Sequence, residues 1–383
     1  MIKLVMILEA TAGGIRKHVI DLLKGLDKNK YDITLIFSTR RADDIFISQL
    51  PELNNIGVHL INVEMCREIK PFKDIISLIA MIWAIKKIDP HVLHLHGAKA
   101  GALGRLAAIT CNIKKVIYTP HGGSFHKFNS LKGHVYLAIE KILSRPYVNF
   151  IGVSKDSCRQ IEFHLKAKED KIHLIYNGID LDHIDAKIHG CKSSRKEFGI
   201  DDNRLVILYP AVFLEAKGHM EFIDSIRLSG INLRPEVLII LAGDGPLRSR
   251  IEENIKASGL DNNFKLVGFQ SKIMDYYNIS DIILLPSRSE VFGYVLIEAM
   301  ACSKPIIATA VGAIAEIVTD GYNGDLVPTD KIHTIIEKLN NYCDNNSKLK
   351  IYGERGRQRV ESAFSLSDMI INTESLYDKL QIN

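Results

Sequence analysis

The sequence predicts an α/β protein made of two doubly wound, Rossmann-like domains, each with a parallel sheet. Short β-branched runs alternate with amphipathic stretches from the first residues onward, which is typical of βαβ units. The alternation begins again near residue 205, so the chain holds two such series. Its length of 383 residues also suits two domains, because a single core rarely serves more than about 300 residues.

The first series starts with Ile2–Leu8, a run that is apolar except for Lys3 and predicts a buried strand. Gly13-Gly14 then predicts a turn, and the apolar periodicity of residues 15–26 predicts a helix. The same criteria predict further strands at residues 33–37, 91–96 and 115–119, and helices at 73–87 and 98–110.

The second series predicts strands at residues 205–209, 237–241, 264–267, 282–285, 305–308 and 324–327, each followed by a helical stretch. Residues 177–202 between the two series show little apolar periodicity, so the domain boundary is placed there. We predict an N-terminal domain over residues 1–176, a C-terminal domain over 177–364 and a terminal helix over 365–383 that can pack back on the N-terminal domain. The ligand site is expected in a cleft where the carboxyl ends of both sets of strands face each other.

Charge is distributed unevenly along the chain. Residues 1–170 hold 25 basic and 16 acidic side chains, whereas residues 171–383 hold 24 and 29. The basic first half predicts an anionic partner or surface on that side only. Pairs of basic residues contribute to this excess at Arg16-Lys17, Arg40-Arg41, Lys86-Lys87 and Lys114-Lys115.

The composition, 46% hydrophobic and 25% charged, is that of a folded globular chain rather than a disordered or fibrous one. Six cysteines occur without a CxxC pair or any metal-like spacing, and no signal-peptide pattern precedes the first strand. A reduced, cytoplasmic enzyme is therefore expected. The longest apolar run, residues 75–85, is well short of the roughly 20 residues that cross a bilayer.

Gly13-Gly14 follows the first strand and opens a helix, where backbone amides and the helix dipole can bind phosphate or carboxylate. The spacing is not GxGxxG. The second strand also ends in Ser38-Thr39-Arg40, where a dinucleotide-binding domain has an acid for the ribose, so NAD binding is disfavoured. The alternative for the glycine pair is a tight turn that lets helix and strand pack.

Two carboxylates eight positions apart form the most informative pattern. Glu290 lies in the loop after the strand that ends at Pro286, whereas Glu298 lies in a helix otherwise made of Val, Leu, Ile, Ala and Met. A carboxylate in such surroundings needs hydrogen-bond donors, and vicinal hydroxyls of a sugar or ribose meet that need. The amides of Phe292 and Gly293 at the helix start would face an anion such as a diphosphate. The alternative makes Glu290 a helix cap and Glu298 an internal ion-pair partner.

Glu290 and Glu298, with Phe292-Gly293 between them, resemble the EX7E motif of family 4 glycosyltransferases, which are retaining enzymes of the GT-B fold. The resemblance covers most of the chain, and residues 96–105 followed by 118–122 are similar to bacterial capsule and exopolysaccharide members. Each motif alone is a weak match, but their order and spacing together are specific. The other motifs are Gly13-Gly14 with His18, Thr119-Pro120-His121-Gly122, Val153-Ser154, Tyr176-Asn177-Gly178-Ile179-Asp180, Lys217-Gly218-His219, Ala242-Gly243-Asp244-Gly245-Pro246, Val267-Gly268-Phe269 and Asp320-Gly321-Tyr322-Asn323-Gly324.

The resemblance implies a hexosyltransferase-type enzyme that moves a sugar from a nucleotide sugar to a glycan acceptor, with UDP the expected nucleotide. It implies that Glu298 holds the ribose hydroxyls, Glu290 a hydroxyl of the donor sugar and Lys217 the diphosphate. A solvated lysine at a helix start is the alternative for Lys217. The remaining donor-binding residues are expected to be Gly13, Gly14, Gly243, Phe269, Phe292 and Gly293.

His121 follows an apolar strand, so its imidazole is expected at the mouth of the cleft. The resemblance implies that it contacts the donor sugar near the reacting carbon, and we group it with Glu290 and Lys217 as catalytic residues. A packed histidine that caps the next turn is the alternative. Strand alternation puts His94 and His96 on one face, but no nearby Cys or acid cluster completes a metal site.

No metal and no other cofactor is expected beyond the UDP-sugar. The GT-B fold needs no metal, because helix amides and Lys217 can neutralise the diphosphate. Asp180 and Asp182 mimic the DxD of metal-dependent transferases but lie in the run that resembles the family's hinge, so we interpret them as structural. The expected reaction is a front-side attack in which the departing phosphate accepts the acceptor's proton.

One departure from the family pattern concerns the diphosphate. The family usually has an arginine five residues before the lysine, whereas this chain has Val212 before Lys217. Arg288, Arg248 and the backbone amides near Gly13-Gly14 are the candidates to replace it. Loss of one charge-assisted contact of about 1.5–3 kcal/mol would weaken donor binding or slow transfer without abolishing it.

The acceptor is less well defined, because the variable first domain builds its site. A polyprenyl-diphosphate-linked saccharide at the inner face of the cell membrane suits the basic excess and the apolar stretches at 75–85 and 135–143, with peripheral membrane contact. Core helices with solvated lysines are the alternative, and no nucleic-acid partner is expected. Two other functions stay open: a nucleotide-sugar 2-epimerase on the same fold, and a catalytically silent partner subunit, which Val212 motivates.

Overall fold

The computed structural model describes residues 1–122, 131–191 and 193–382, with the backbone alone at residues 131, 132 and 382. The chain forms two compact units. Unit 1 contains residues 1–178 and 366–383, and unit 2 contains residues 179–365. The division therefore falls two residues after the boundary expected from the sequence.

The strands are β1 Ile2–Leu8, β2 Tyr31–Phe37, β3 His59–Asn62, β4 Val92–His96, β5 Val116–Thr119, β6 Val148–Gly152, β7 Ile172–Leu174, β8 Leu205–Pro210, β9 Val237–Ala242, β10 Phe264–Leu266, β11 Ile282–Leu285, β12 Ile306–Thr309 and β13 Gly324–Val327. The first seven belong to unit 1 and the other six to unit 2. All pairings within the two sheets are parallel.

The helices are α1 Gly13–Gly25, α2 Asp44–Asn55, α3 Pro71–Ile88, α4 Ala98–Thr110, α5 Leu131–Leu143, α6 Lys155–Leu165, α7 Leu181–Gly190, α8 His219–Ser229, α9 Arg248–Ala257, α10 Ile273–Ile279, α11 Tyr294–Ala301, α12 Ile314–Ile317, α13 Thr334–Asp344, α14 Ser347–Ala363 and α15 Leu366–Ile382. Short 3-10 helices lie at Glu169–Lys171, Arg195–Phe198, Glu215–Lys217 and Thr329–Lys331. Within the described ranges, no helix is both long enough and apolar enough to cross a membrane.

The sheet of unit 1 has the order β3-β2-β1-β4-β5-β6-β7, so the direction of winding reverses between β1 and β4. Helices α1, α2 and α15 cover one face of the sheet and α3 to α6 cover the other, each burying an apolar core. Leu8 of β1 is level with His96 of β4, which in turn is level with Thr119 of β5. The loops that follow these three strands therefore begin side by side at one edge of the sheet.

The sheet of unit 2 has the order β10-β9-β8-β11-β12-β13, with the reversal between β8 and β11. Strands β8, β9, β11 and β12 are buried along their whole length, which explains why they appear in the sequence as continuous apolar runs. The prediction of two α/β units with parallel sheets is confirmed.

Element positions agree closely with the sequence predictions where the apolar pattern is strong. The bounds of β1, β11, β13 and α4 coincide with those expected, and most others shift by one or two residues. The sequence did not predict β3, β6 or β7. The first and last of these are short edge strands with partly exposed residues, so their apolar pattern is weak.

The C-terminal helix α15 belongs to unit 1, although it follows unit 2 in the chain. Its residues Met369, Leu376 and Tyr377 are buried in the same core as β1 and α1. The Tyr377 hydroxyl also lies 2.7 Å from Nδ1 of His94 on β4. The helix thus completes the core of a unit whose other residues lie nearly 200 positions earlier.

Candidate active site

In unit 2, Lys217 and Glu290 lie in the loops that follow β8 and β11. These are the two neighbouring strands between which the strand order reverses. Ligands of parallel α/β sheets bind beyond the carboxyl ends of the strands at such a reversal. Topology alone therefore places both residues at the expected ligand position of this unit.

The Lys217 and Glu290 side chains form an ion pair. Nζ of Lys217 donates to Oε2 of Glu290 at 2.5 Å, although the two residues are 73 positions apart. Their side chains are 22% and 12% exposed, so both remain partly accessible. A cation and a carboxylate held in contact in this way can bind an anionic group and a hydroxyl next to each other.

The backbone around Lys217 is fixed by several contacts. The Tyr209 hydroxyl donates to the carbonyl of Lys217, and the amide of Lys217 donates to Leu214 at 2.9 Å. The amides of Arg288 and Ser289 both donate to the carbonyl of Ala216, which ties the loop after β8 to the loop after β11. The position of the ammonium group is therefore set by both loops together.

Gly218 is required where these two loops meet. It has φ of +79°, and a Cβ there would lie 2.0 Å from the carbonyl oxygen of Pro286. Both the backbone conformation and the close approach exclude a side chain. The Lys217-Gly218 pair in the sequence is thus a geometric requirement as well as a chemical one.

His219 at the start of α8 packs face to face on Tyr209, with ring centroids 4.2 Å apart. Burial, and secondarily the charge of Lys217, lowers the pKa of His219 to about 3. The ring is consequently neutral at physiological pH. It supports the loop by packing and adds no second cation beside Lys217.

Gly312 is a site residue that the sequence reasoning missed. It follows β12 with φ of +51°, and a Cβ there would lie 1.9 Å from the carbonyl oxygen of Glu290. The next amide, that of Ala313, lies 3.4 Å from the same oxygen. The signal available in the sequence was a glycine between small residues directly after a buried strand. Gly312 affects the position of Glu290 through this backbone contact.

Glu298 lies on α11 and is half-buried. The Tyr277 hydroxyl lies 3.5 Å from Oε2 of Glu298 and 3.2 Å from the carbonyl of Val295. Burial and the nearby Glu298 carboxylate raise the pKa of the Tyr277 hydroxyl well above its usual range, and they raise that of the Cys302 thiol to about 12. Both groups therefore stay protonated at physiological pH.

Phe292 and Gly293, at the start of α11, contribute to the site in different ways. Phe292 is buried, and its ring packs against Phe364 and Tyr294 at 5.8 Å, so only its backbone can take part in binding. Gly293 precedes the helix with φ of +86°. This conformation turns the chain sharply into α11, and it leaves the positive end of the helix dipole beside the Glu290 loop.

Gly243 and Phe269 lie after β9 and β10, further along the same sheet edge. A Cβ at Gly243 would lie 2.0 Å from the carbonyl oxygen of Ala211, so this glycine lets the loops after β8 and β9 touch. Phe269 is 69% exposed, so much of its ring is accessible. An exposed aromatic ring at this edge can stack on a planar ligand.

Val212, in place of the family arginine, is half-exposed in the loop after β8. Arg288 pairs with Glu221 at 2.8 Å, whereas Arg248 pairs with Asp244 and Glu252. Both candidate replacements are therefore already bound to carboxylates. Arg248 also lies next to Gly268, just before Phe269.

Unit 1 brings four histidines together at its own strand-order reversal. His18 lies on α1, His94 and His96 on β4, and His121 just after β5. Rings of His94 and His96 are 4.0 Å apart, so the expectation that they share a face agrees with the structure. Nδ1 of His96 lies 3.2 Å from Nε2 of His121, which has φ of +52°. Positive φ in a non-glycine residue is uncommon and occurs at functional sites as well as at helix ends, where Asp89 and Lys166 adopt it.

These imidazoles are neutral. Burial lowers the pKa of His18 to about 4 despite its 2.8 Å hydrogen bond to Asn177. Burial and neighbouring histidines hold the pKa values of His94, His96 and His121 well below their usual range. His121 therefore acts as a hydrogen-bonding group and not as a cation.

Ring nitrogens of His18, His96 and His121 lie within 4.8 Å of one another, a grouping that could hold a metal ion. Among the described residues, Nε2 of His18 and Nε2 of His96 are buried without a hydrogen-bond partner. The sequence had not singled out His18 as a possible ligand. The expectation of a metal-free enzyme thus stays a proposal.

Gly13 and Gly14 lie exposed at the start of α1, directly after β1. Gly13 has φ of +66°, and a Cβ there would meet no atom within 4 Å. The glycine is therefore not needed for close packing of helix and strand. It leaves the backbone at the helix start open to a ligand.

Asp180 caps α7, because its side chain accepts a hydrogen bond from the amide of His183 at 2.9 Å. The structural interpretation of the Asp180 and Asp182 pair agrees with this geometry.

Some of the basic residues that give the first half its positive charge form ion pairs within unit 1. For example, Arg16 pairs with Asp43, and Arg41 pairs with Glu9.

Comparison with known families accounts for both units. The family described as Glycosyltransferase Family 4 matches residues 12–183, and that described as Glycosyl transferases group 1 matches residues 192–359. The chain is a glycosyltransferase in which a Family 4 domain precedes a group 1 domain. The expectations of this family, of the GT-B fold and of an enzyme that transfers glycosyl groups are confirmed.

This glycosyltransferase is similar along most of its length to proteins of known name. It is 27% identical over 371 residues, 94% of each chain, to the capsular polysaccharide biosynthesis glycosyltransferase CapM of Staphylococcus aureus. It is 25% identical over 323 residues, 83% of each, to the UDP-Gal:α-D-GlcNAc-diphosphoundecaprenol α-1,3-galactosyltransferase of Escherichia coli. The Anabaena Alr3699/HepE structure in complex with UDP and glucose matches it with a TM-score of 0.82 at 19% identity, covering 99% of this chain and 100% of that one, and shows the shared fold.

Proposed function

We propose that this glycosyltransferase moves a sugar from a UDP-sugar to a lipid-linked glycan acceptor, with retention of configuration and without a metal ion. The setting is the assembly of a cell-surface polysaccharide at the cytoplasmic face of the membrane. The observation that carries the proposal is the Lys217–Glu290 ion pair at the strand-order reversal of unit 2. A diphosphate and a sugar hydroxyl are the two groups that such a pair binds together.

Lys217 stabilises the leaving diphosphate. As the bond between the anomeric carbon and the phosphate oxygen breaks, negative charge grows on that oxygen. A fixed ammonium group in a partly buried site lowers the energy of this charge without reorganising. The contacts of Tyr209 and Ala216 described above hold the loop ready for this task.

Glu290 positions the donor sugar and does not form a covalent bond to it. Its carboxylate is neutralised by Lys217 at 2.5 Å, which makes it a poor nucleophile and a good hydrogen-bond acceptor. The acceptor hydroxyl attacks the anomeric carbon from the face that the diphosphate leaves. The new C–O bond forms there, and the departing phosphate oxygen takes the hydroxyl proton.

Most of the other proposed donor contacts lie at the same sheet edge of unit 2, and His121 of unit 1 is added to them. Glu298 accepts hydrogen bonds from the ribose hydroxyls, and backbone at Phe292 and Gly293 faces the donor head. Phe269 offers its exposed ring to the uracil base, since stacking on an aromatic ring suits a planar base. The neutral His121 contacts the donor sugar by hydrogen bonding, in keeping with its lowered pKa.

The donor nucleotide and the acceptor class are supported by the proteins to which the chain is similar. The name of the Escherichia coli relative specifies UDP-galactose and a diphosphoundecaprenol-linked acceptor, and the Staphylococcus aureus relative is named for capsular polysaccharide. At 25–27% identity, these names support a class of donor and acceptor and do not identify the sugar.

A donor screen tests the proposal. The protein is incubated with a panel of UDP-sugars, with and without polyprenyl-diphosphate saccharides, and UDP release and lipid-linked products are measured by mass spectrometry. We expect slow hydrolysis of one donor and faster UDP release with a suitable acceptor. Conversion of a UDP-sugar to its 2-epimer would instead indicate an epimerase. No turnover and no thermal shift with any nucleotide would indicate a silent partner subunit.

Chelation tests the metal-free mechanism. Because Lys217 and helix amides are proposed to neutralise the diphosphate, EDTA should leave transfer unchanged within about twofold. Activity that disappears with EDTA and returns with manganese, magnesium or zinc would overturn this part. The His18, His96 and His121 group would then be the first set to replace.

A further inference from the structure

An exposed apolar stripe runs along α3. Side chains of Phe72, Ile75, Ile76, Ile79 and Trp83 are between 51% and 84% exposed. Their spacing of three or four residues places them on one side of the helix. The helix has 18 residues and is therefore roughly 27 Å long.

The opposite side of α3 packs against the core of unit 1. Ser77, Met81 and Ile85 are buried, and the last two lie in the core that β4 and α4 share. The helix is thus apolar on two sides, and the described residues of unit 1 bury only one of them. Large exposed apolar surfaces of this kind mark contacts with a membrane or another protein.

Charge on α3 favours an anionic partner. Lys86 and Lys87 are exposed and follow Trp83 by three and four residues, which places them at the edges of the apolar stripe. The single acidic residue of α3, Asp74, is on the opposite side, where Nζ of Lys99 binds it at 2.8 Å. The outer side therefore combines apolar side chains with positive charge.

Neighbouring helices extend the same face of unit 1. Helix α4 packs between α3 and α5, and α4 is locked to α5 by a buried ion pair between Arg105 and Glu140 at 2.6 Å. Exposed apolar residues continue on these helices with Ile109 and Ile142, and the exposed Lys141 lies beside the latter. The surface is thus part of a rigid helical layer.

We propose that the outer side of α3, continued by α4 and α5, binds the surface of an anionic lipid membrane. A membrane fits better than a protein because Phe and Ile can enter the acyl region while the flanking lysines meet anionic headgroups. Trp83, the only tryptophan of the chain, is of the type that membrane interfaces favour. The inference deepens the proposed function, and it rests on that function for its purpose, which is to bring the enzyme to a lipid-linked acceptor.

Trp83 makes the experiment direct, because all tryptophan fluorescence comes from this face. The full chain is mixed with vesicles of phosphatidylcholine alone or with phosphatidylglycerol, and flotation and emission wavelength are recorded. We expect flotation and a shift of emission to shorter wavelength with the anionic vesicles. Ile76→Ser with Ile79→Ser should weaken partitioning about tenfold or more, and Lys86→Ser with Lys87→Ser should abolish the preference for phosphatidylglycerol.

Matched controls are available in unit 2. Leu228→Ser removes an equally exposed apolar side chain, and Lys348→Ser with Lys350→Ser removes two exposed lysines, so both should leave vesicle binding unchanged. Wild-type protein that ignores anionic vesicles, or α3 variants that bind as well as wild type, would overturn the proposal. Sedimentation that shows a dimer lost in Ile76→Ser with Ile79→Ser, without vesicle binding, would assign the face to a second copy of the chain.

Hydrolysis of the UDP-sugar without vesicles separates this inference from the proposed function. Hydrolysis that persists in the α3 variants while vesicle binding falls supports the membrane assignment. Vesicle binding by a protein that neither binds nor hydrolyses any UDP-sugar would support the surface assignment and overturn the proposed function alone.

Discussion

At the residue scale, Glu290 and Glu298 are held in different ways. Glu290 lies in a loop and pairs with Lys217 at 2.5 Å, whereas Glu298 projects from α11 beside the Tyr277 hydroxyl at 3.5 Å. The first carboxylate is coupled to the cation expected at the diphosphate. The second lies on helix α11 and is the carboxylate proposed to bind the nucleotide.

Replacement of the two carboxylates should therefore have different effects. Glu298→Ala should weaken UDP binding by about 10- to 100-fold through the loss of charge-assisted hydrogen bonds to the ribose. Glu290→Ala should leave UDP affinity nearly unchanged and lower transfer on the order of 100-fold. Calorimetry with UDP and steady-state transfer assays measure the two quantities. Glu253→Ala, at an exposed position of unit 2, is the control, and the reverse pattern would exchange the two assignments.

The histidines of unit 1 link residue chemistry to the pH dependence of stability. His18 has a pKa of about 4 in the folded chain because of burial, against an ordinary value of 6.5. Above pH 6.5 both folded and unfolded states are neutral at this residue. As the pH falls from 6.5 to 4 the unfolded state takes up the proton first, so stability is lost over that range.

Replacement of His18 should reduce this acid sensitivity. The lowered pKa of His18 corresponds to roughly 3 kcal/mol of unfolding free energy lost between pH 6.5 and pH 4. The variant His18→Gln should therefore lose much less stability over this pH range than the wild type does. Urea unfolding followed at several pH values measures it. His59→Gln, with a largely exposed ring on β3, should keep the wild-type slope. Equal slopes for all three proteins would contradict the prediction.

At the scale of elements, the loops of unit 2 are held together by glycines. Gly218 brings the loop after β8 against Pro286, Gly312 brings the loop after β12 against Glu290, and Gly243 brings the loop after β9 against Ala211. In each case a Cβ would lie 2.0 Å or less from a carbonyl oxygen. The candidate site is therefore built from loops whose backbones touch, which limits how far Lys217 and Glu290 can move.

Comparing substitutions at Gly218 and Gly199 separates the cost of a steric clash from the cost of the left-handed backbone conformation. Gly199 in the same unit has a similar φ of +65° but open space around it. Gly199→Ala should cost about 1–2 kcal/mol of unfolding free energy, from its conformation alone. Gly218→Ala should cost about 3 kcal/mol or more and slow transfer, because the Pro286 carbonyl must move. Urea denaturation and transfer assays check both, and equal costs would show that the loops adjust freely.

At the scale of the whole molecule, unit 1 is assembled from both ends of the chain. Helix α15 fills the core beside β1 and α1, and the side chain of Asp378 binds Lys30 at 2.7 Å. The chain passes through all of unit 2 before this helix is made. The core of unit 1 that supports the histidine group is therefore complete only when the last residues are present.

Removal of one buried side chain from α15 should destabilise unit 1 selectively. Leu376 is buried in that core, and Leu376→Ala should cost about 2–5 kcal/mol. Ile371→Ala on the same helix, at a largely exposed position, should cost less than about 0.5 kcal/mol. Hydrogen exchange should show lost protection in β1, β4 and α1 but not in β8 or β11. Equal loss in both units would contradict the assignment of α15 to unit 1 alone.

Much of this architecture follows from local patterns. β1, β11 and α4 were predicted with their observed bounds, because a buried parallel strand or a helix imposes its own apolar period on the sequence. β3 and β7 were not predicted, because edge strands bury less of their surface and need fewer apolar residues. Gly312 was also overlooked, since the carbonyl it approaches belongs to a loop more than 20 residues away.

Period, spacing and motif order in the sequence are enough to predict the two series of strands and helices, the family and most of the candidate site residues. Which of these residues meet depends on the tertiary structure. It placed Lys217 in contact with Glu290, buried Phe292 so that only its backbone is offered, and left one side of α3 exposed. Contacts between residues far apart in the chain depend on the order of the strands and on the packing of the loops. Local sequence patterns do not specify either of these.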